Sequence, residues 1–518
     1  MRHFLLLLLC FVGVNAFSQD SAPKATLHVE VRSSAGALSG ATVSVGRTSA
    51  TTDERGNATV QVGAGMVQVL VEKSGFFSAT QSLFLVPDQE QGIIVELQPQ
   101  PEAKEEITVS ATRTDKRLQD EPTRVEVLSR EEIEEKMLMT PGDIVMMMNE
   151  MGGMRVQTTS PSLGAASVRI QGMKGRYTRF FQDGLPLFGQ QVGGLGLLQI
   201  PPMDLGQVEV IKGGASALYG AGAMGGIVNL VSRRPGTEPN LEMLVNRSAL
   251  GASDAILFAT SPLNARWSAS LLGSGNLQEC KDIDDDGWAD LSGYGRGIIR
   301  PRFFWDGGNG RTAFVTTGVT YENREGGTMF GSVLPATGLP YTEALDTRRY
   351  DIGATSQFLI GNKYLLTFRS AASTQGHRHG FGDVLERDRH NMFFGETSIR
   401  GTAGRHTWVA GLAFERNTYD AKDVPQFSFA FNAPGIFVQD DINLTQWFSV
   451  SASGRADFHN EYGTFLSPRI SALLKSGEWS SRVSLGHGFF APTPLTEETE
   501  AAGLSRLVIP QPLKAEHG

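Results

Sequence analysis

Cysteine is nearly absent: Cys10 and Cys280 are the two in 518 residues. Cys10 falls in an N-terminal apolar segment expected to be removed, so Cys280 has no internal partner and the fold must rest on hydrogen bonding and packing. Long apolar runs are also scarce. The mean hydropathy is −0.15. The longest run, Phe4 to Val14, is shorter than the about 20 residues a membrane helix needs, which excludes a bundle of membrane helices. The cation excess of a nucleic-acid binder is missing, since 46 Lys and Arg face 55 Asp and Glu for a net charge of −9. No nucleophile elbow, phosphate loop, zinc-protease helix or dinucleotide fingerprint occurs, so an enzyme is not expected.

What is present begins with an export signal. Arg2 and His3 precede the apolar stretch Leu5 to Val14, and Val14-Asn15-Ala16 supplies a small-residue cleavage site. Residues 1–16 are therefore expected to direct export and be lost. The 60 glycines and many short alternating runs point to a mainly β protein rich in turns.

Residues 25–97 alternate in short strands, as in Thr26-Leu27-His28-Val29-Glu30-Val31 and Gly40-Ala41-Thr42-Val43-Ser44-Val45, around the turn Thr52-Asp53-Glu54-Arg55-Gly56-Asn57. About seven such strands predict a small β-sandwich. Leu38 to Val43, Thr52 to Gly56 and Val71-Glu72-Lys73-Ser74-Gly75-Phe76 resemble the carboxypeptidase regulatory-like domain, which carries no catalysis of its own. The sandwich could bind carbohydrate or act only as a spacer. Residues 98–104, with Pro99 and Pro101, read as an extended linker.

After the linker, Ile107-Thr108-Val109-Ser110-Ala111 is β-prone and suited to pair with the sheet edge of another protein. Residues 114–233 then form a mixed α/β block. A helix is expected near residue 143, capped by Thr140 with Pro141 in its first turn and with Ile144, Met147 and Met151 on one face. Eight methionines lie from Met137 to Met173; adaptable core filling explains them better than a soft-metal site. Several ordered motifs mark the block: Val168-Arg169-Ile170-Gln171-Gly172-Met173, Gln182-Asp183-Gly184-Leu185-Pro186-Leu187, Val208-Glu209-Val210-Ile211-Lys212-Gly213-Gly214-Ala215-Ser216-Ala217-Leu218-Tyr219-Gly220, and Met224 to Leu230. Asp183-Gly184 is a hairpin turn signal. These motifs resemble the plug domain of TonB-dependent outer-membrane receptors, and Ile107 to Ala111 resembles a TonB box. The charged members Arg169, Asp183, Glu209 and Lys212 would either latch the plug to a polar barrel wall or hold the plug's own fold.

From residue 237 to 518 the pattern is strand, turn, strand. In Thr445 to Phe458 the residues Phe448, Val450, Ala452, Ala456 and Phe458 fall on one side, with Ser449, Ser451, Ser453, Arg455 and Asp457 on the other. Trp408, Ala410, Leu412 and Phe414 likewise share a side. About 13 strands are expected between residues 239 and 490, with the period of a transmembrane antiparallel β-barrel. By the resemblance, a whole barrel has about 22 strands. The segment Phe489 to Glu498 resembles a mid-barrel stretch of that family, so the chain is expected to be a fragment of a longer product carrying the N-terminal part of the barrel.

Two loops carry metal-binding residue types. Asp282, Asp284, Asp286 and Asp290 fall at positions 1, 3, 5 and 9 of a loop with Gly287 at position 6, as in the first part of a calcium loop, but position 12 is Gly293 rather than a bidentate glutamate. A solvated acidic loop explains the same residues equally well. His377 and His379 in Gly376-His377-Arg378-His379-Gly380 could bind a metal or a metal chelate, but a polar loop between strands is the better account.

The resemblance implies energised import: a small metal chelate binds from outside between plug apex and barrel loops, and TonB then pulls the segment Ile107 to Ala111 from the periplasm. The outward plug residues are expected within Gln157 to Ala165 and Phe188 to Leu198, with Gln157, Arg176, Gln190 and Gln191 as candidate ligand contacts. No cofactor is required. Expected partners are TonB, outer-membrane lipid and the ligand, with a surface lipoprotein as an open option. In the family's glycan importers a Lys-Asp-Ala-Ser run is usual where this chain has Lys212-Gly213-Gly214-Ala215-Ser216, which leans away from glycan import toward a ferric siderophore, with cobalamin close behind. The N-terminal sandwich pulls mildly toward glycan import. A surface adhesin built on the sandwich is the other class of reading, but it has no use for a plug.

Overall fold

A computed structural model describes residues 24–33, 36–46, 48–73, 76, 78–98, 108–114, 116–186, 196–361 and 363–518. The export signal, Ile107, Gln190 and Gln191 lie outside the described residues. The chain forms two units, residues 1–106 and 107–518.

The first unit is a sandwich of β1 (Lys24–Ser33), β2 (Gly36–Ala37), β3 (Thr42–Val45), β4 (Thr48–Thr51), β5 (Asn57–Gly63), β6 (Gly65–Glu72), β7 (Ala79–Leu85) and β8 (Glu90–Glu96). One four-stranded sheet joins β2, β5 and β8 to β1, and the other runs β4-β3-β6-β7. Period-2 alternation sends Leu27, Val29 and Val31 of β1 into a core with Val43, Val45, Val60, Val69 and Val71. The predicted turn is held by Asp53, whose carboxylate accepts from Arg55 N at 2.9 Å and Asn57 N at 2.8 Å. Gly56 has φ +79, and a Cβ there would meet Val31 O at 2.5 Å, so only glycine closes this turn.

The second unit begins with β9 (Thr108–Val109), which pairs antiparallel with β10 (Lys116–Arg117). The plug sheet comes next, ordered β11 (Val125–Leu128), β15 (Leu205–Lys212), β16 (Gly226–Ser232) and β14 (Thr178–Gln182), with β14 parallel to β16. The hairpin β12 (Met154–Thr158) and β13 (Ala166–Ile170) stands beside it. Helix α1 (Arg130–Met137), which the sequence pattern did not announce, opens on a reciprocal cap between Ser129 and Glu132. The helix expected near residue 143 is α2 (Val145–Asn149), and it is not capped by Thr140. Asp143 Oδ1 accepts from Val145 N at 2.9 Å instead, and Thr140-Pro141-Gly142 forms the turn before it. Met147, Met148, Met151 and Met154 are buried with Ile133, Ile170, Val208, Val210 and Leu230, so they fill core. A short helix α3 (Ser216–Tyr219) completes the plug.

Thirteen strands, β17 (Asn240–Arg247) to β29 (Trp479–Gly486), form one antiparallel sheet in sequence order. In β25 (His406–Ala421) Leu412 and Phe414 are exposed while Val409 and Ala413 are buried. In β27 (Phe448–His459) Ser451, Arg455, Asp457 and His459 are buried and Phe458 is exposed. Polar side chains inward and apolar ones outward invert the order of a soluble protein, as a membrane barrel requires. Among the described residues no helix is long and apolar enough to cross a membrane, which says nothing of strands. One end carries tight turns: residues 309–310 join β20 (Gly293–Gly308) to β21 (Arg311–Gly327), and residues 404–405 join β24 (Val384–Ala403) to β25. The other end carries the longer segments 279–292 and 328–341. Barrels of this kind turn tightly at the periplasmic face and carry long loops outside.

Past β29, β30 (Phe489–Phe490) pairs with β31 (Glu516–His517), and helix α4 (Glu497–Ala502) lies between them in sequence. Arg169 meets Glu497 at 3.1 Å, and Glu386 of β24 accepts from Leu504 N at 2.9 Å. This segment therefore bridges plug and wall.

Candidate functional site

At the tight-turn end, the segment Thr108 to Thr114 is held by the plug. Strand alternation sends Val208 and Val210 into the plug core and turns Glu209 and Ile211 to the opposite face, where Val109 and Ala111 pack. Glu209 is fully buried. Its carboxylate accepts from Ser110 N at 2.8 Å, Ala111 N at 2.7 Å, Gln207 Nε2 at 2.7 Å and Asn229 Nδ2 at 2.9 Å. Asn229 stands directly opposite Glu209 in the sheet register. The Tyr219 hydroxyl donates to Ala111 O, and burial pushes its pKa up, keeping the proton on this donor. In this resting arrangement Val109 and Ala111 are buried, so the predicted pairing strand is docked rather than displayed as a free edge.

Charge anchors the same segment to the wall. Arg113 (φ +64) meets Glu396 of β24 at 2.7 Å and lies over the rings of Tyr219 and Phe437, at 4.7 and 4.6 Å. Lys116 meets Asp441 at 3.1 Å, and Arg400 donates to Thr114 O at 2.8 Å. Higher up, Arg179 meets Glu415 at 2.8 Å and Asp204 meets Arg302 at 2.5 Å. Asp204 and Arg302 touch as ions without hydrogen-bond alignment.

The motif residues divide. Lys212 holds Glu126 and Gly152 O, and Asp183 accepts from Ser232 N at 3.0 Å; both serve the plug's own fold. Asp183 (φ 52) and Gly184 (φ 74) make the predicted turn, and Gly172 and Gly213 sit at φ 83 and 84. Of the four charged motif residues two reach outside the plug: Glu209 to the backbone of Ser110 and Ala111, and Arg169 to Glu497. Gln157 is exposed. Arg176 donates to Tyr177 OH at 2.7 Å and pairs with Glu516 at 3.2 Å.

At the long-loop end a cavity of about 100 Å³ lies between plug and wall. The plug contributes Ser160, Leu163, Ala165 and Gln199, and the wall contributes His377, His379 and His390 beside Phe381 and Tyr419. Leu495, Glu500 and Leu504 close it. His377 Nδ1 bonds Asp388 at 2.8 Å and His379 Nε2 bonds Glu343 at 2.9 Å. Among the described residues the second nitrogen of each ring has no protein partner. Glu500 opens partly into the cavity, yet its enclosure by protein pushes its carboxyl up to about 8, with Glu497 adding to the rise. Sequence reading named His377 and His379 but missed His390 and Glu500; at the other end it placed Tyr219 and Asn229 inside motifs without giving either a role.

In the loop before β20 the carboxylates of Asp282, Asp284 and Asp290 converge within 4.8 Å. The charge of Asp286 leads the forces that raise the Asp284 pKa. Asp286 itself accepts from Trp288 N at 2.8 Å and stays out of the converging set. Hard oxygen donors in this arrangement suit calcium.

A sheet that is apolar outside and polar inside, with an α/β domain tied to its inner face, defines the class: a plugged outer-membrane-type barrel. Residues 117–227 match the TonB-dependent receptor plug domain, and residues 258–518 match the TonB-dependent receptor-like β-barrel. The chain belongs to the TonB-dependent receptor family. It is 23% identical over 418 residues to an iron-regulated outer membrane virulence protein of Vibrio cholerae, covering 75% of this chain and 60% of that protein. It is 30% identical over 126 residues to the vitamin B12 transporter BtuB of Vibrio vulnificus, covering 24% and 20%. The siderophore receptor PirA of Pseudomonas aeruginosa superposes with a TM-score of 0.57 at 19% identity, over 71% of this chain and 62% of that one. The chain thus spans about three-fifths of the Vibrio cholerae protein and of PirA.

Proposed function

We propose that this protein is an outer-membrane receptor for TonB-coupled uptake of a ferric siderophore, exported by its N-terminal signal. The observation that carries the reading is the buried Glu209 carboxylate on the backbone of Ser110 and Ala111. It stows a strand suited to a partner's sheet edge at the inner mouth, while the plug reaches a small cavity at the outer one. Ligand bound at the outer mouth over Leu163 and Ala165, with at most one donor group entering the small cavity beside the histidines, would press on the plug, loosen this docking and present the strand to TonB. The iron-regulated and siderophore-receptor relatives support iron as the cargo, and the run Lys212 to Ser216, which lacks the aspartate usual in the glycan importers, fits it; cobalamin is the runner-up. The loop Asp282 to Asp290 is proposed to take calcium and stiffen the outer rim.

The test is growth of a deletion strain carrying the full-length gene, with ferric siderophore or cobalamin limiting, with and without Val109→Pro. Proline removes the donor that strand addition needs. Rescue on ferric siderophore that the proline abolishes supports the reading. Rescue on cobalamin alone replaces the substrate, and rescue indifferent to the proline refutes energy coupling.

A further inference from the structure

Just past the docked strand, a buried carboxyl stands between plug and wall. Glu121 closes the turn Leu118–Asp120 and is fully buried. Its hydrogen-bond partners are neutral: Thr123 N at 3.1 Å, Thr114 Oγ1 at 3.4 Å and the Thr112 hydroxyl. Thr112 and Thr114 also bond each other at 3.2 Å. The carboxyl is thus tied to the two hydroxyls that follow Ala111.

The charges facing Glu121 do not neutralise it. Lys116 of β10 meets Asp441 of β26 (Phe429–Asn443) at 3.1 Å. Asp441 is itself fully buried, and its charge opposes ionisation of Glu121. Arg469 of β28 (Gly463–Ser476) and Arg482 of β29 also face this carboxyl. Each guanidinium is held by carbonyls instead, Arg469 by Gly214 O at 2.8 Å and Arg482 by Glu121 O at 2.9 Å and Leu118 O at 3.1 Å. Asp120, next in the chain, pairs with Lys475 at 2.6 Å and Arg117 at 2.9 Å. Among the described residues no cation forms an ion pair with Glu121. A carboxylate buried in this way takes up a proton rather than stay charged. Burial pushes the Glu121 carboxyl up to about 7, and the Asp441 charge adds to the rise.

We propose that Glu121 is a proton-held latch on the segment Thr108 to Thr114: it is a neutral acid while the segment is docked, and on release it meets water, ionises and gives its proton to solvent. As an acid it donates to the threonine hydroxyls and presents no charge to Asp441. As a carboxylate it repels Asp441 and competes for Lys116, whose strand β10 pairs with the docked β9. The docked state therefore binds one proton more than the released state. Docking is strongest below the ordinary carboxylate value and weakens as pH rises toward about 7, by about 10-fold per pH unit, then levels. The inference rests on the release step proposed above. It is read in the free receptor, without nutrient or TonB, so the growth test with Val109→Pro judges that step separately.

The experiment is hydrogen exchange on the full-length protein across about pH 5 to 9, expressed as protection factors, which remove the intrinsic pH dependence of exchange. The reporters are the Ala111 amide, which donates to Glu209, and the Arg113 amide, which donates to Ser110 O. Their protection should fall by about 10-fold per pH unit up to about pH 7 and level beyond, while β16 amides keep theirs. Glu121→Gln is neutral at every pH and should give a flat profile. Asp441→Asn removes the opposing charge and should move the fall to lower pH; it serves if Glu121→Gln does not fold. Infrared spectra of wild type below the fall should show a protonated carboxyl that Glu121→Gln lacks. A flat wild-type profile would overturn the proposal and leave Glu121 a packing residue. A Glu121→Gln profile that falls like wild type would overturn it by assigning the proton to another group, and so would a fall that Asp441→Asn leaves in place.

Discussion

Glu209→Gln isolates the docking of the Thr108 to Ala111 segment. The side chain keeps its size, so the plug sheet is preserved. The carboxylate accepts two backbone N–H groups and two side-chain amides, and the amide that replaces it offers one oxygen and a donor. One of Ser110 N and Ala111 N then faces a donor while buried, and the other loses charge assistance. An orphaned buried N–H costs about 1–3 kcal/mol, and the lost charge assistance about 1 more. The docked state should weaken by about 2–4 kcal/mol, an about 30- to 1000-fold shift toward release. Hydrogen exchange on the full-length protein reads this at the Ser110 and Ala111 amides, whose protection should fall by that factor while amides of β16 keep theirs. Unchanged protection at Ser110 and Ala111 would refute the reasoning and leave packing of Val109 and Ala111 as the restraint.

Other outcomes are expected from the same structure. Glu500 has a folded pKa of about 8, above the ordinary carboxylate value, so the folded state holds a proton that the unfolded state releases. Its packing is best tolerated below the unfolded pKa, and stability falls as pH rises toward about 8, then levels. Ligand affinity measured from pH 5 to 9 should follow that fall, and Glu500→Gln should flatten the profile. Met148→Ala, at a fully buried site in the plug core, should destabilise the plug by about 2–5 kcal/mol, seen as plug unfolding at lower urea. Millimolar calcium should protect the loop Asp282 to Asp290 from protease, and Asp282→Asn should remove that protection; indifference to calcium would make the loop a solvated acidic turn.

What the sequence disclosed depended on the range of the interaction. Barrel strands were readable because period-2 alternation writes inside and outside into neighbouring residues, as at Leu412 and Phe414. The turns at Asp183-Gly184 and Gly213 were readable because positive φ selects glycine or aspartate locally. Helix α1 was overlooked because its acidic first turns carry a weak apolar stripe, although Ser129 and Glu132 spell its cap. The start of α2 was misplaced because Thr140-Pro141 imitates a cap, whereas the helix begins after Ile144 with Asp143 bonding the Val145 N–H. The ion pairs of Arg113 with Glu396 and Arg179 with Glu415 join residues more than two hundred positions apart, and nothing local marks them. The outer cavity is gathered from the plug, four barrel strands and the segment after β30, so its histidines could be named but not placed together.

The most direct measurement is the mobility of a spin label at Thr108, an exposed position, in full-length protein with Thr108→Cys and Cys280→Ser. It should be read with and without a ferric siderophore that supports growth. The account predicts an ordered label in the free receptor and a mobile one once ligand binds at the outer mouth, with Glu209→Gln mobile in both. A label whose mobility ignores the ligand would contradict it.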